Sequence, residues 1–191
     1  HGLMKFVREC HTRGIGVVLD VVYNHFYGDT DLWQFDGWSE NDRGGIYFYN
    51  DERGDTPWGG RPDFGRPEVR QFVLDNITMW LNEYHMDGLR VDTYFYNEKE
   101  PMSEWCKAVR TEYPAVNIVG ECWTTSPAQL AYWEAGTKNK DGFCSYLPSV
   151  MDFPLQSVLC KALTDDDTSW DSGMKLIYRS LSHDFLFDDP C

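Results

Sequence analysis

Three apolar runs, each ending in polar residues and each separated from the next by a helical pattern, limit what this chain can fold into. They are IGVVLDVVY (15–23), GLRVDTYF (88–95) and VNIVGECW (116–123). The first is apolar on both faces and predicts a fully buried strand, as in a parallel sheet covered on both sides. Ahead of it, Leu3, Met4, Phe6, Val7 and Cys10 follow helical spacing up to Gly14. Between the first and second runs, Pro67 suits a first helical turn. Val69, Phe72, Val73, Ile77, Trp80, Leu81 and Tyr84 then form one apolar stripe, and Gly88 stands where that helix would stop. Further helices are expected at about 101–113, from near Ser126, at 155–163 and at 170–182, with PSVMDFPL (148–155) as a weaker strand. Residues 26–65 read as a long loop after the first strand, rich in Gly, Asp, Asn and aromatics, a length that is usually functional. Its Trp33, Phe35, Trp38, Tyr47, Phe48 and Tyr49 suit a small satellite core, with a share available to line a site. The acidic run TDDDTSWD (164–171) reads as a solvated loop.

Strand and helix in alternation mean an α/β fold with a parallel sheet and helical crossovers, either an open doubly wound sheet or a (β/α) barrel. No strand is followed by a G-x-G-x-x-G or P-loop, which weakens the nucleotide-binding version. In a barrel, functional groups gather at the C-terminal ends of strands. The polar residues of this chain do so: Asp20 to His25, then Arg90 and Asp92, then Glu121.

Side chains alternate across a strand, so Arg90 and Asp92 share one face and Leu89 and Val91 the other. A guanidinium beside Asp92 favours its ionised form, and an oriented carboxylate can act as a nucleophile. Glu121 closes the next strand. Neighbouring strands lie roughly 4.8 Å apart, close to the ~5–5.5 Å between carboxyl groups in retaining glycosidases. An anionic Asp92 nearby would keep Glu121 protonated as a general acid. Spacing alone equally suits a structural ion pair with Glu121 as a capping residue.

The 191 residues, 42% hydrophobic and 16% aromatic, suffice for one globular domain. A net charge of −14 repels phosphate backbones and argues against a nucleic-acid partner. No stretch approaches the ~18 apolar residues of a membrane span, so no membrane partner is expected. No signal peptide is evident, which says little for a chain that opens on a mid-helix pattern, so the compartment stays open, with a cytoplasmic one favoured over others. Cysteines at 10, 106, 122, 144, 160 and 191 form no C-x-x-C, which argues against zinc and predicts mostly buried free thiols.

DVVYNH (20–25), GLRVDTYF (88–95) and GECW (120–123) together resemble the first three signature regions of the alpha-amylase superfamily of glycoside hydrolases and transglycosylases, in order and each at a strand end. The resemblance covers essentially the whole chain. It implies a partial TIM (β/α)8 barrel, about strands 3 to 6 with their helices, so that 1–191 is a piece of one catalytic domain, incomplete and inactive alone. It also implies an α-glucan oligo- or polysaccharide as partner and a retaining double displacement. By the same resemblance, Asp92 matches the nucleophile and Glu121 the acid/base. Arg90 matches the arginine that holds the nucleophile, His25 a substrate-binding histidine, and Asp20 a supporting aspartate. Asn24 matches a position that binds calcium in many relatives, although their long calcium-binding insertion is not recognisable. No cofactor is otherwise expected, and Asn24 equally suits a plain hydrogen-bonding role. Tyr23 and Trp123 flank the site as candidates for stacking on sugar, or for packing.

The family's third essential carboxylate follows a histidine at the end of the seventh strand. His183-Asp184 offers such a pair, but the segment before it reads as helical, and the true pair is expected beyond Cys191. DLWQFDGWSENDRGGIYFYND (31–51) and the stretch 61–90 look most like glycogen branching enzymes, whereas 102–133 and LPSVMDFPLQ (147–156) look more like neopullulanases and related amylases, with the seam near Asp92. Hydrolysis of α-1,4 bonds is therefore expected, with α-1,6 branching as the alternative. A non-catalytic glucan-binding member is the second alternative.

Overall fold

A computed structural model describes residues 1–28, 30–34, 45–136, 139–165, 169–170 and 172–182. Helix α1 (Gly2–His11) ends before Gly14, whose φ of 71° only a glycine adopts freely. Strand β1 (Val18–Val22) follows. The long connection holds a two-stranded antiparallel hairpin, β2 (Asp55–Thr56) and β3 (Gly59–Gly60). Then come α2 (Pro67–Tyr84), β4 (Gly88–Asp92), α3 (Lys99–Glu112), β5 (Asn117–Gly120), α4 (Pro127–Trp133), β6 (Ser149–Val150), α5 (Phe153–Thr164) and α6 (Lys175–Leu181).

The main sheet is parallel throughout, in the order β1-β4-β5-β6. That is chain order with no reversal. A doubly wound sheet needs a switch point where the order reverses, so the barrel-type arrangement is the one realised. The weak strand at PSVMDFPL is present, as the two-residue β6.

Register explains which residues face the helices. Leu19, Leu89 and Ile118 align across β1, β4 and β5, as do Val21 and Val91. This face packs on the stripe Val69, Val73, Ile77 and Leu81 of α2 and on Met102, Trp105, Cys106 and Val109 of α3. Ile77, Leu89 and Ile118 have no solvent exposure, and full burial of such a side chain is worth about 1.5–3 kcal/mol.

The opposite face carries Val18, Asp20 and Val22 beside Gly88, Arg90 and Asp92. Here the expectation of a fully buried first strand is corrected: Val18 is 61% and Val22 40% exposed. Helices cover one face of β1, and among the described residues nothing covers the other. Helix α2 also stops earlier than Gly88. His85 takes the left-handed C-terminal position (φ 57°), and Gly88 instead opens β4, where a Cβ would lie 3.2 Å from the Asn117 carbonyl.

In the loop, Phe48 and Tyr49 are buried, and Phe26, Tyr47, Phe48 and Phe72 form edge-on and tilted ring contacts, which gives the satellite core. The side chain of Trp33, with Phe35 and Trp38, lies outside the described residues. The described cysteines are free, but only Cys106 and Cys122 are buried. Cys160 is exposed, which corrects the expectation of mostly buried thiols. No described helix is long and apolar enough to cross a membrane.

Candidate active site

Asp92 is the last residue of β4, and Glu121 directly follows β5, its amide donating to the Val91 carbonyl. The two carboxylates thus stand at the C-terminal ends of adjacent parallel strands. Arg90 lies between them and behind them. Its Nη1 donates to Asp92 Oδ1 at 2.6 Å and to Asp20 Oδ1 at 2.8 Å, and its Nη2 pairs with Glu121 Oε1. The sequence pattern assigns the guanidinium to Asp92, whereas in the fold it binds three carboxylates at once. Glu121 is the most buried of these, with its side chain 8% exposed, against 65% for Asp20. The Arg90–Asp20 contact is therefore screened and weak, and the strength of the cluster rests on the two inner contacts.

Thr93 is a residue that sequence reasoning missed. It is β-branched yet holds φ 45°, ψ 39°, a conformation that is a genuine outlier for such a side chain. The turn that follows is fixed from two sides: Asn97 Nδ2 donates to the Thr93 and Tyr94 carbonyls, and the Tyr94 amide donates to the Glu121 carbonyl at 2.9 Å. In this conformation the Thr93 amide donates to Glu121 Oε2 at 3.0 Å, and its hydroxyl donates to Asp92 Oδ2 at 3.2 Å. One strained residue touches both carboxylates.

In front of them opens a cavity of about 390 Å³ lined by His25, Trp58, Asp92, Thr93, Tyr96, Glu121 and Trp123. Trp123 is 65% exposed and presents its ring to this space. Trp58, from the turn between β2 and β3, sits 5.3 Å from the His25 ring, and Tyr96 sits 6.3 Å from Trp58. Neither has a periodic signal. The only hint of Trp58 is the tight TPWG turn of its hairpin. Burial lowers the pKa of His25 from its usual 6.5. Asp92 opposes that shift and Arg61 adds to it.

The candidates divide as follows. Asp92, Glu121, His25 and Trp123 line the cavity, while Arg90 stands behind it and holds the two inner carboxylates, and Asp20 pairs with Arg90 from the exposed side. Tyr23 is a correction. It is 3% exposed, donates to Asn76 Oδ1 at 3.0 Å and packs edge-on to Trp105, so it faces the helices and cannot stack on a ligand in the cavity. Burial pushes its phenol well above the usual tyrosine range. His183-Asp184 lies outside the described residues.

Asn24 is buried, with its Oδ1 unpartnered among the described residues and its Nδ2 3.3 Å from His25 Nδ1. Calcium takes six to eight oxygen ligands, usually including carboxylates. Among the described residues no group of three or more His, Cys, Asp or Glu could hold a metal ion. Among the described residues, Asn24 Oδ1 alone does not make up such a calcium site.

No family model matches the chain. It is 35% identical over 154 residues to the 1,4-alpha-glucan branching enzyme of Bacillus subtilis (strain 168), a match covering 71% of this chain and 24% of that enzyme. It is 40% identical over 94 residues to the malto-oligosyltrehalose trehalohydrolase of Saccharolobus solfataricus, covering 48% of this chain and 15% of the relative. Among solved structures, the alpha-amylase of Geobacillus thermoleovorans in complex with acarbose superposes with a TM-score of 0.73 at 23% identity, covering 98% of this chain and 41% of the amylase. The fold is that of part of a TIM barrel. The chain spans about a quarter of the length of the Bacillus subtilis enzyme it matches.

Proposed function

Since the chain belongs to the alpha-amylase superfamily, we propose that it carries the nucleophile and acid/base of a retaining active site for α-1,4-glucosidic bonds, with hydrolysis as the reaction. The observation that supports this reading most is the Arg90–Thr93 bracket, which holds two carboxylates from adjacent strand ends against one aromatic-rimmed cavity.

Asp92 attacks the anomeric carbon while Glu121 gives its proton to the departing glycosidic oxygen, leaving a glucosyl ester on Asp92. Glu121, now a carboxylate, takes a proton from water. The water oxygen attacks the anomeric carbon, and Asp92 leaves. His25, neutral because its pKa is lowered, offers hydrogen bonds to sugar hydroxyls without adding charge. Trp58, Tyr96 and Trp123 present faces on which a pyranose ring packs. The substrate is an α-glucan oligo- or polysaccharide, a neutral molecule to which a net charge of −14 is indifferent.

Kinship with a branching enzyme supports a second reading, in which a sugar 6-hydroxyl takes the place of water. Proton NMR of amylose incubated with the chain extended through a seventh-strand His-Asp pair separates the two. Growth of reducing-end anomeric signals, abolished in Asp92→Asn and Glu121→Gln, is expected. New α-1,6 signals would replace hydrolysis by branching. An unchanged spectrum with malto-oligosaccharide binding intact would overturn both in favour of a glucan-binding role.

A further inference from the structure

One cation beside the catalytic cavity has no role so far. In a chain with 31 acidic residues, Arg13, Arg53, Arg66, Arg70 and Arg90 each pair with a carboxylate. Arg61 pairs with none among the described residues, and its Nε is buried without a hydrogen-bond partner. Burial alone pushes the Arg61 pKa down, with no carboxylate opposing it.

Its position follows from register. Phe26 bridges Gly60 and Phe48 bridges Pro62, both antiparallel. Residues 60–62 are therefore the middle of a three-stranded ribbon, with His25 opposite Arg61 on one side and Tyr49 opposite it on the other. Directly opposite side chains share a face, about 5 Å apart at Cβ. Phe26 and Phe48 take the other face, where their rings meet edge-on at 5.9 Å. The face of His25, Arg61 and Tyr49 looks toward the end of β4. His25 lines the catalytic cavity, and the Tyr49 hydroxyl donates to Glu98. Arg61 stands between them, beside the cavity rather than in its wall.

This setting restricts what Arg61 can hold. Burial strips water from a cation, and the loss is recovered when the cation meets an opposite charge. A sugar hydroxyl would leave the charge unpaired. A guanidinium presents a planar fork of N–H donors that fits two oxygens of a phosphate or carboxylate. Asp92 and Glu121 do not supply them, because Arg90 already holds both. A glucan can carry a phosphate on an existing hydroxyl, whereas a carboxylate would require oxidation of its carbon.

We propose that Arg61 recognises a phosphate ester carried by an α-glucan, on the sugar unit that lies beside His25. The proposal rests on the glucan reading of the catalytic cavity and adds a charged substituent to it.

Calorimetry tests this with maltotriose, maltotriose carrying 6-phosphate esters, and inorganic phosphate. The protein is the chain extended through a seventh-strand His-Asp pair, with Asp92→Asn to prevent turnover. The phosphorylated sugar is expected to bind about tenfold more tightly than the neutral one, the low end for one charge-assisted hydrogen bond. Arg61→Gln should abolish that preference, and Arg61→Lys should keep part of it. Removing an unpaired buried charge should not lower the urea midpoint, so a fall in Arg61→Gln would make Arg61 structural and overturn the site. With Asp92 intact, Arg61→Gln should also raise the His25 pKa followed by NMR, because Arg61 lowers it. An unmoved titration would place the guanidinium away from the cavity and overturn the proposal. Equal affinity for the two sugars, or a preference that survives Arg61→Gln, would overturn the phosphate site and leave the glucan reading standing. Inorganic phosphate binding as tightly as the phosphorylated sugar would replace it by a free-anion site. Failure of both sugars to bind would overturn the glucan reading itself.

Discussion

Gly120 stands where the core meets the candidate site, and replacing it by alanine is the sharpest test of the packing described above. A Cβ at this position would lie 2.7 Å from Leu147 Cδ2, 3.0 Å from Tyr94 Cγ and 3.2 Å from Tyr94 Cβ. Leu147 can turn its methyl away. Tyr94 cannot, because its ring packs edge-on to Trp133 at 6.0 Å and its hydroxyl lies 3.3 Å from Cys106 Sγ, both in full burial. Overpacking of this kind costs about 1–3 kcal/mol, and restricting the unfolded chain returns about 0.4–1 kcal/mol. The net loss should be roughly 1–2 kcal/mol, which at a urea m-value of about 2 kcal/mol/M shifts the midpoint down by about 0.5–1 M. Gly28 has nothing within 4 Å of a built Cβ, so Gly28→Ala should stay within about 0.5 kcal/mol. Equal midpoints for Gly120→Ala and Gly28→Ala would refute the close contact between β5 and Tyr94, and with it the rigid seat assigned to Glu121.

Three further outcomes are expected. The His25 pKa lies below its ordinary 6.5, so the folded state binds fewer protons in that window. Stability tied to neutral His25 is complete above about pH 6.5 and is lost as pH falls toward the folded value. A ring titration followed by NMR that centres at or above 6.5 would contradict it. Glu98 accepts from Tyr49 Oη, and burial, with Glu100 adding, raises its pKa. Its contribution is complete below about pH 4.3 and fades as pH rises, so Glu98→Gln should gain stability relative to wild type at pH 7 compared with pH 4. Equal differences in urea midpoint at the two values would refute the burial argument. Arg90→Met should cost about 3 kcal/mol, the low end for removing one partner from a buried pair, and Arg90→Lys less. A loss below about 1 kcal/mol in denaturant titration would place the cluster among weak surface contacts.

The period of two in a strand makes the heart of the site legible in the sequence. It put Arg90 and Asp92 on one face, and the alternation of elements put Glu121 at the neighbouring strand end. The same period held the answer for Tyr23, which shares odd parity with Leu19 and Val21 and so faces the helices with them. Motif adjacency suggested otherwise, and parity was the better guide. The exposure of Val18 and Val22 is not legible in the run itself, because burial of a strand face depends on what covers it. It follows instead from the partial barrel that the signature regions imply, whose open side leaves apolar strand faces uncovered. Trp58 and Tyr96 reach the cavity from a hairpin turn and a single turn of 3-10 helix, where no periodicity marks direction. Thr93 was hidden for a related reason: its role depends on a left-handed backbone angle imposed by Asn97 and the Glu121 carbonyl, not on its own preference.

In the order β1-β4-β5-β6, Asp92 and Glu121 ride on the two inner strands. Each of those strands has hydrogen-bonded neighbours on both sides. Fraying begins at strands with a free edge and proceeds inward, because local opening is cheapest where few bonds and contacts break. The carboxylate pair therefore occupies the last part of the sheet to open, and amide hydrogens at 89–91 and 118–120 should exchange more slowly than those of β1 and β6. The spacing between Asp92 and Glu121 is kept by the bonds between β4 and β5.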